Sequence, residues 1–212
     1  MSPKVSKEHM EKRRANILEA AKQVFIEMGY ERTTMKHVME AAGVSRGGLY
    51  QYFLNKEDLY EAILEEGLEK AVDDNGLLLE KEVDSYWPLL MKRMFGESME
   101  PDDRLDPLAP SNLEFFITGR HDERRRQYGL NRYQLGLQVY EELIKAGQEC
   151  GEFSKTYDSK TMARSIVSFI DGLALDHAIL PEEEIQVKKQ SLLFVEYLKM
   201  ALEVERGNRL KK

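Results

Sequence analysis

The chain has 212 residues, of which 42% are apolar and 33% are charged, as in ordinary globular proteins and unlike disordered chains. Its formal net charge of −7 argues weakly against a nucleic-acid partner, but residues 1–56 carry +4 while residues 57–212 carry −11. A basic N-terminal module on an acidic body is typical of a protein that binds a polyanion at one end.

Neither a signal peptide nor a transmembrane helix is expected. The charged N-terminus lacks the apolar core of a signal peptide. No apolar run approaches the roughly 18 residues that a spanning helix needs. Cys150 is the only cysteine, which excludes an internal disulfide and leaves two interpretations, a buried inert thiol or a redox sensor. We therefore expect a cytoplasmic protein without a membrane partner.

Apolar residues recur at helical spacing along most of the chain, which predicts an all-α fold of about nine helices. Three helices are expected in the N-terminal domain, over about 6–28, 34–42 and 45–53. A long fourth helix is expected over 55–79, and further helices near 84–95, 111–120, 123–149, 159–180 and 182–206, with an acidic loop over 96–111. The predicted domains are 1–56, with the start of helix four to about residue 71, and 57–212.

The segment from Thr33 to Lys56 is the most informative part of the sequence. Two short helices joined by Ala-Gly-Val-Ser (42–45) predict a helix-turn-helix, in which Gly43 permits a left-handed turn. Arg46 and Gln51 would then project from the second helix toward base edges in DNA. On this pattern alone, a core hairpin in a helical bundle is the alternative.

The same segment resembles the DNA-binding domain of the tetracycline-repressor-like (TetR) family. The family pattern is present in order as Gly29-Tyr30, Thr33-Thr34, Ala42-Gly43-Val44-Ser45, Leu49-Tyr50-Gln51-Tyr52-Phe53 and Lys56. Gly48 departs from it, standing where Thr, Ser or Ala is more usual. A fainter similarity continues in the body, at Gly151-Glu152-Phe153 and Asp171-Gly172-Leu173.

The resemblance implies a homodimeric transcriptional repressor that binds double-stranded DNA at a pseudo-palindromic operator and is released by a small-molecule effector. It assigns phosphate contacts to Thr34, Lys36, Tyr50, Tyr52 and Lys56, and base contacts to Ser45, Arg46, Gly47 and Gln51. Thr33 and Gly48 complete the expected DNA-binding set. Core packing is the alternative for Tyr52, and it is the expected role of Phe53.

In the body, the resemblance implies a ligand pocket and a dimer interface. The pocket candidates are Trp87, Met91, Phe115, Phe116, Tyr133, Leu137, Tyr140 and Asp171. The dimer candidates lie on the last two helices and are Ile166, Leu173, His177, Val187, Gln190, Phe194 and Leu198. Packing inside one protomer is the alternative for both sets. Aromatic and Met side chains favour an apolar or aromatic effector, and the acidic charge of the body leaves a cationic effector as the alternative.

The sequence contains no catalytic motif such as Gly-x-Ser-x-Gly, His-Glu-x-x-His or a P-loop, so we expect neither an enzyme nor a cofactor. His121-Asp122-Glu123 lacks the spacing of a metal site and predicts a solvated turn. The alternative function is a DNA-binding structural or interaction protein on the same scaffold, without a small-molecule effector.

Overall fold

The computed structural model describes residues 7–79 and 83–204, and no strand occurs within these ranges. The predicted all-α fold is thereby confirmed. These residues fall into two compact units. The N-terminal unit combines the chain up to Gly67 with Pro107–His121, and the C-terminal unit combines Leu68–Asp106 with the chain from Asp122 onward. The domain boundary that the sequence predicts at residue 56, as the end of the DNA-binding head, stays a prediction.

Ten α-helical segments occur in the described ranges. They are α1 (Lys7–Met28), α2 (Met35–Ala42), α3 (Arg46–Tyr50), α4 (Lys56–Leu79), α5 (Trp87–Phe95), α6 (Ala109–Thr118), α7 (Glu123–Glu149), α8 (Ser159–Ile179), α9 (Glu182–Ile185) and α10 (Val187–Leu202). The predicted architecture of about nine helices is confirmed. The extra segment arises because Gln186, in a left-handed conformation with φ of 50°, divides the last expected helix into α9 and α10.

An aromatic cluster forms the centre of the N-terminal unit. Tyr30 follows α1, and its ring contacts those of Tyr60 on α4 and Phe115 on α6, with centroids 4.9 and 5.0 Å away. Hydrogen bonds attach α6 to the same unit. Among them, Ser111 Oγ donates to the carbonyl of Phe25, and the Tyr60 hydroxyl donates to Asn112, both at 2.7 Å. Helix α6 is therefore part of the core that supports α1 and α4.

The C-terminal unit has its own apolar core, made by side chains of α5, α7, α8 and α10. Helix α5 begins at Trp87 instead of Asp84, with Pro88 in its first turn. The Glu152 carboxylate accepts hydrogen bonds from Ser85 Oγ and from the N–H groups of Tyr86 and Trp87, at 2.6, 2.6 and 3.0 Å. These bonds supply the N-terminal cap that the sequence before α5 lacks. None of the described helices is both long and apolar enough to span a bilayer.

Candidate DNA-binding interface

Local hydrogen bonds fix the two helices of the helix-turn-helix. Thr34 caps α2 by accepting from the N–H of His37, while His37 Nδ1 accepts from the N–H of Thr34, both at 3.3 Å. Gly43 ends α2 with φ of 62°, in the left-handed region that favours glycine. Ser45 then caps α3, its Oγ accepting from the N–H of Gly48 at 3.2 Å. The turn between the helices is thus set by residues 43–45.

The inward face of this motif is apolar and is shielded from solvent. Val38 and Leu49 have no exposed surface and Phe53 is 3% exposed, so the expected core role of Phe53 agrees with its position. Helix α1 contacts α2, and α2 contacts α3. The recognition helix α3 is therefore held as part of a packed three-helix head, which fixes the direction of its outer side chains.

The outer face of α3 carries the residues expected to bind bases. Arg46, Gly47 and Gln51 are exposed, and Tyr50 is 37% exposed. The Arg46 guanidinium carbon lies 5.4 Å from the centroid of the Tyr50 ring, a distance at which a cation interacts with an aromatic face. These four residues occupy a short exposed surface, free of the core, with the donors and acceptors that base edges require.

The expected phosphate ligands on α2 and beside it differ in how far they are exposed to solvent. Thr34 and Lys36 are exposed, and Lys36 forms an exposed ion pair with Glu40 at 3.6 Å. Tyr52 is half-buried, which is compatible both with a phosphate contact and with core packing. Thr33 is 1% exposed, and its hydroxyl donates to the Gly29 carbonyl at 2.7 Å. Its hydroxyl is therefore occupied in holding the end of α1.

Lys56 is bound to the turn between α1 and α2. Its Nζ donates to the carbonyls of Tyr30 and Glu31 at 2.8 and 3.3 Å and lies 4.2 Å from the centroid of the Tyr30 ring. The sequence assigned this ammonium to phosphate and gave no sign of these bonds. In this conformation Lys56 holds the turn after α1, and its contact with phosphate stays a prediction.

Gly48 marks a close approach between α3 and α1. A Cβ at Gly48 would lie 2.9 Å from Nη2 of Arg13 and 3.3 Å from Ser45 Oγ, whereas a Cβ at Gly47 would meet no atom within 4 Å. Sequence reasoning did not predict that Arg13 of α1 lies beside α3. The signal available for it was the glycine at position 48, where family members usually carry a larger residue.

The structure brings together four of the eight pocket candidates. Trp87, Met91, Leu137 and Tyr140 belong to the core cluster of the C-terminal unit, and burial raises the pKa of the Tyr140 phenol to about 12. Tyr133 is 41% exposed. The remaining three candidates are separate from the cluster: Phe115 and Phe116 belong to the N-terminal unit, and Asp171 is exposed on α8, although partial desolvation raises its carboxyl pKa.

The dimer candidates divide by burial. Ile166, Val187 and Leu198 are buried in their own protomer, Gln190 is exposed, and Leu173, His177 and Phe194 are half-buried. Phe194 stacks on Phe169 of the same chain, with ring centroids 4.1 Å apart. The same two helices expose a further set of large apolar side chains outside the dimer candidates: Ile170, Leu175, Ile179, Leu192, Leu193, Tyr197 and Met200.

Other polar groups give no sign of a metal centre. Over the described ranges, no group of three or more His, Cys, Asp or Glu side chains is arranged to hold an ion. Asp122 instead caps α7, accepting from the N–H of Arg125 at 2.8 Å. Cys150 is exposed, so its interpretation as a buried thiol is wrong.

A capped helix-turn-helix with an open, polar recognition helix defines a DNA-binding protein of the helix-turn-helix class. Residues 17–63 match the model of "Bacterial regulatory proteins, tetR family", and residues 96–188 match that of "Tetracyclin repressor-like, C-terminal domain". The chain belongs to the tetR family, and it is a transcriptional regulator of the helix-turn-helix type.

Individual relatives agree with this assignment over nearly the whole chain. The chain is 37% identical to the HTH-type transcriptional regulator YfiR of Bacillus subtilis, covering 97% of this chain and 99% of that protein. It is 29% identical to the regulator TtgR of Pseudomonas putida, covering 84% and 85%. A TetR regulator structure from Haloarcula marismortui shares the fold, with a TM-score of 0.70 at 21% identity over 91% and 99% of the two chains.

Proposed function

We propose that this regulator is a homodimeric repressor that binds a pseudo-palindromic operator and leaves it when an apolar or aromatic small molecule binds the C-terminal unit. The observation that carries the DNA-binding part is the exposed face of α3, where Arg46, Gly47 and Gln51 stand free of the core. Arg binds guanine edges in a bidentate manner and Gln binds adenine edges, so this face suits sequence-specific recognition in a major groove.

Dimerisation is supported by the exposed apolar side chains of α8 and α10. Ile179, Leu193, Tyr197 and Met200 are each more than half exposed, and Leu193, Tyr197 and Met200 follow one another at spacings of four and three residues on α10. Such a stripe faces one side of a helix. A second copy of the chain, related by a two-fold axis, would cover it and give the DNA site its symmetry.

The effector class follows from the core of the C-terminal unit. Trp87, Met91, Leu137 and Tyr140 are contributed by α5 and α7, and they provide aromatic and flexible apolar surface. The Tyr140 hydroxyl is protonated at physiological pH, as the ordinary phenol pKa of about 10 already requires, and burial raises that pKa further, to about 12. An apolar or aromatic molecule with one hydrogen-bonding group suits these side chains better than a highly charged one.

Release requires that effector binding change the spacing of two heads, which must sit roughly 34–36 Å apart on DNA. Helix α4 begins in the N-terminal unit and ends in the C-terminal unit, so it joins the head covalently to the body. Helix α6 also contacts the head, through the Glu114 carboxylate that accepts from the N–H of Glu31 at 2.9 Å. A hundredfold loss of DNA affinity corresponds to about 2.7 kcal/mol of coupling, and DNA must weaken effector binding equally.

The DNA-binding proposal is tested by selecting bound fragments from random DNA and measuring affinity for a selected and a scrambled duplex. Arg46→Ala should cost about 1–3 kcal/mol on the selected duplex and relax the preference at particular base pairs. Lys36→Ala is the control, because loss of an exposed cation should weaken binding to both duplexes alike. Equal losses on both duplexes for Arg46→Ala would contradict its base-reading role.

The repressor mechanism is tested separately. A compound that raises the melting temperature is titrated by calorimetry into the free protein and into the complex with the selected duplex. A repressor released by that compound must bind it more weakly in the complex, and a reporter gene behind the selected site must be derepressed by it. Equal affinities would favour the second candidate function, a DNA-binding structural protein without an effector.

A further inference from the structure

The absence of a side chain at Gly48 leaves room for the guanidinium of Arg13 beside the recognition helix. A methyl group at Gly48 would lie 2.9 Å from Nη2 and 3.7 Å from Cζ of Arg13, closer than the nitrogen could tolerate without moving. The neighbouring glycine, Gly47, has open space around the same point. Only one of the two glycines therefore makes room for a side chain from α1.

The geometry of α3 places Arg13 on one flank of the surface that reads bases. Leu49 is fully buried and marks the inward direction of the helix. With a rotation of about 100° per residue, Gly47 and Gln51 point outward, and Arg46 and Tyr50 lie on one flank. Gly48 lies on the opposite flank, and the guanidinium of Arg13 lies beside it.

A helix of about 10–12 Å diameter fills a major groove about 12 Å wide, so its flanks face the two sugar-phosphate walls. Arg13 is exposed, and no ion pair involves it within residues 7–79 and 83–204. An unpaired guanidinium facing a phosphate wall matches the fork geometry with which Arg binds phosphate oxygens.

We propose that Arg13 of α1 binds a DNA phosphate beside the recognition helix, and that Gly48 is the positioning residue that makes this contact possible. The proposal rests on the DNA-binding role of α3 and adds to it a contact from another helix. The guanidinium is held from one side by the surface of α3, so it reaches the backbone with less loss of side-chain freedom than a cation on an open helix face. Arg13 then adds affinity without reading sequence.

The test compares affinities for one selected and one scrambled duplex over a range of salt concentrations. Loss of one phosphate contact lowers the slope of log K against log salt by about one for each bound head, and near 0.1 M salt it weakens binding about ten-fold per head. We expect Arg13→Ala to show both the lower slope and the weaker binding on both duplexes. Arg13→Lys, which keeps the positive charge, should restore much of the wild-type slope. Arg14→Ala is the matched control. The guanidinium carbon of Arg14 lies 5.5 Å from the centroid of the Phe53 ring instead of beside Gly48, so loss of this cation should change the slope less.

Gly48→Ala tests the positioning role without removing a charge. Alanine has a higher helix propensity than glycine, which should offset the 3.3 Å approach of its Cβ to the capping Ser45 Oγ, so thermal unfolding should show a head about as stable as that of the wild type. Binding should nevertheless fall toward that of Arg13→Ala. In the Arg13→Ala background, Gly48→Ala should have no further effect, because the side chain that it displaces is already absent.

Three results would overturn the proposal. Unchanged affinity and slope for Arg13→Ala would show that Arg13 makes no phosphate contact. A loss confined to the selected duplex would show that Arg13 reads bases instead. An equal effect of Gly48→Ala with and without Arg13 would mean that the new methyl group itself disturbs the DNA contact. A wild-type protein that selects no DNA at all would contradict the DNA-binding role, which is a distinguishable outcome.

Discussion

The carboxylate of Glu114 on α6 accepts a hydrogen bond from the backbone N–H of Glu31, at 2.9 Å and across 83 residues of sequence. The same carboxylate lies against Gly29, where a Cβ would come within 2.8 Å of Oε1 and φ is +78°. Thr118, one turn further along α6, donates to the Glu31 carboxylate at 3.0 Å. The turn between α1 and α2 is therefore held by α6 on one side and by Lys56 on another.

Removal of the Glu114 carboxylate should destabilise the N-terminal unit. Glu114→Ala leaves the N–H of Glu31 without its protein partner and should lower the free energy of unfolding by about 1 kcal/mol. Glu114→Gln retains an acceptor oxygen and should cost less. Glu65→Ala, at an exposed site on α4, is the control. Chemical denaturation gives these values, and equal losses for Glu114→Ala and Glu65→Ala would show that the bond contributes nothing.

Two glycines of α7 should respond oppositely to alanine. A Cβ at Gly147 would overlap the ring of Phe153, while a Cβ at Gly136 would meet nothing within 4 Å. Gly136→Ala should therefore stabilise the protein by about 1 kcal/mol through helix propensity. Gly147→Ala should destabilise it by about 1–3 kcal/mol through overpacking. Thermal unfolding of the two variants decides this, and stabilisation by both would mean that Phe153 moves aside at no cost.

Asp158 should contribute stability that depends on pH. It caps α8. Hydrogen bonds from the Thr161 side chain and from the Thr161 N–H, the latter at 3.0 Å, hold the pKa of the Asp158 carboxyl below the ordinary value. A lowered pKa means that the stabilisation is complete above the unfolded-state pKa and is lost as pH falls through the folded-state pKa. Asp158→Asn keeps a capping oxygen but cannot titrate. The stability gap between wild type and Asp158→Asn should therefore shrink on acidification, and a gap independent of pH would refute this.

The exposed stripe on α10 gives a sharper test of dimerisation than Phe194, whose substitution would also break its stacking on Phe169. Leu193 and Tyr197 are 54% and 53% exposed in the protomer, so Leu193→Glu and Tyr197→Glu should spare the fold. In a dimer they would bury charges, and light scattering should show helical monomers. Leu54→Glu, at a 75% exposed site in the N-terminal unit, should remain dimeric. A dimer for all three variants would place the interface elsewhere.

Sequence reasoning located helix ends where the signal is local. The predicted range 123–149 is that of α7, and Asp122, which the sequence assigned to a solvated turn, caps this helix from the adjacent position. Thr34, Gly43 and Ser45 were readable as caps of α2 and α3. Side-chain oxygens and left-handed glycines act on backbone groups within three or four residues, so they leave a pattern in the sequence itself.

Contacts between distant segments left no such pattern. The start of α5 depends on Glu152, more than sixty residues away, so the sequence placed it three residues early. Phe115 was grouped with pocket residues because the family resemblance implies a pocket between the helices of the body, but that resemblance does not say which core a helix face joins. Lys56 was assigned to phosphate by the family resemblance and by its place at a helix N-terminus. Nothing near it in sequence reveals its bonds to the carbonyls of Tyr30 and Glu31.

Trp87 is the single tryptophan of the chain, and it lies at the first position of α5, beside the core of the C-terminal unit. Its fluorescence, excited where tyrosine does not absorb, therefore reports on that unit alone. Helical circular dichroism reports on both units together. If the two units unfold separately, the two signals will follow different denaturation curves in the unmodified protein, and a single shared curve will show that they unfold as one cooperative body.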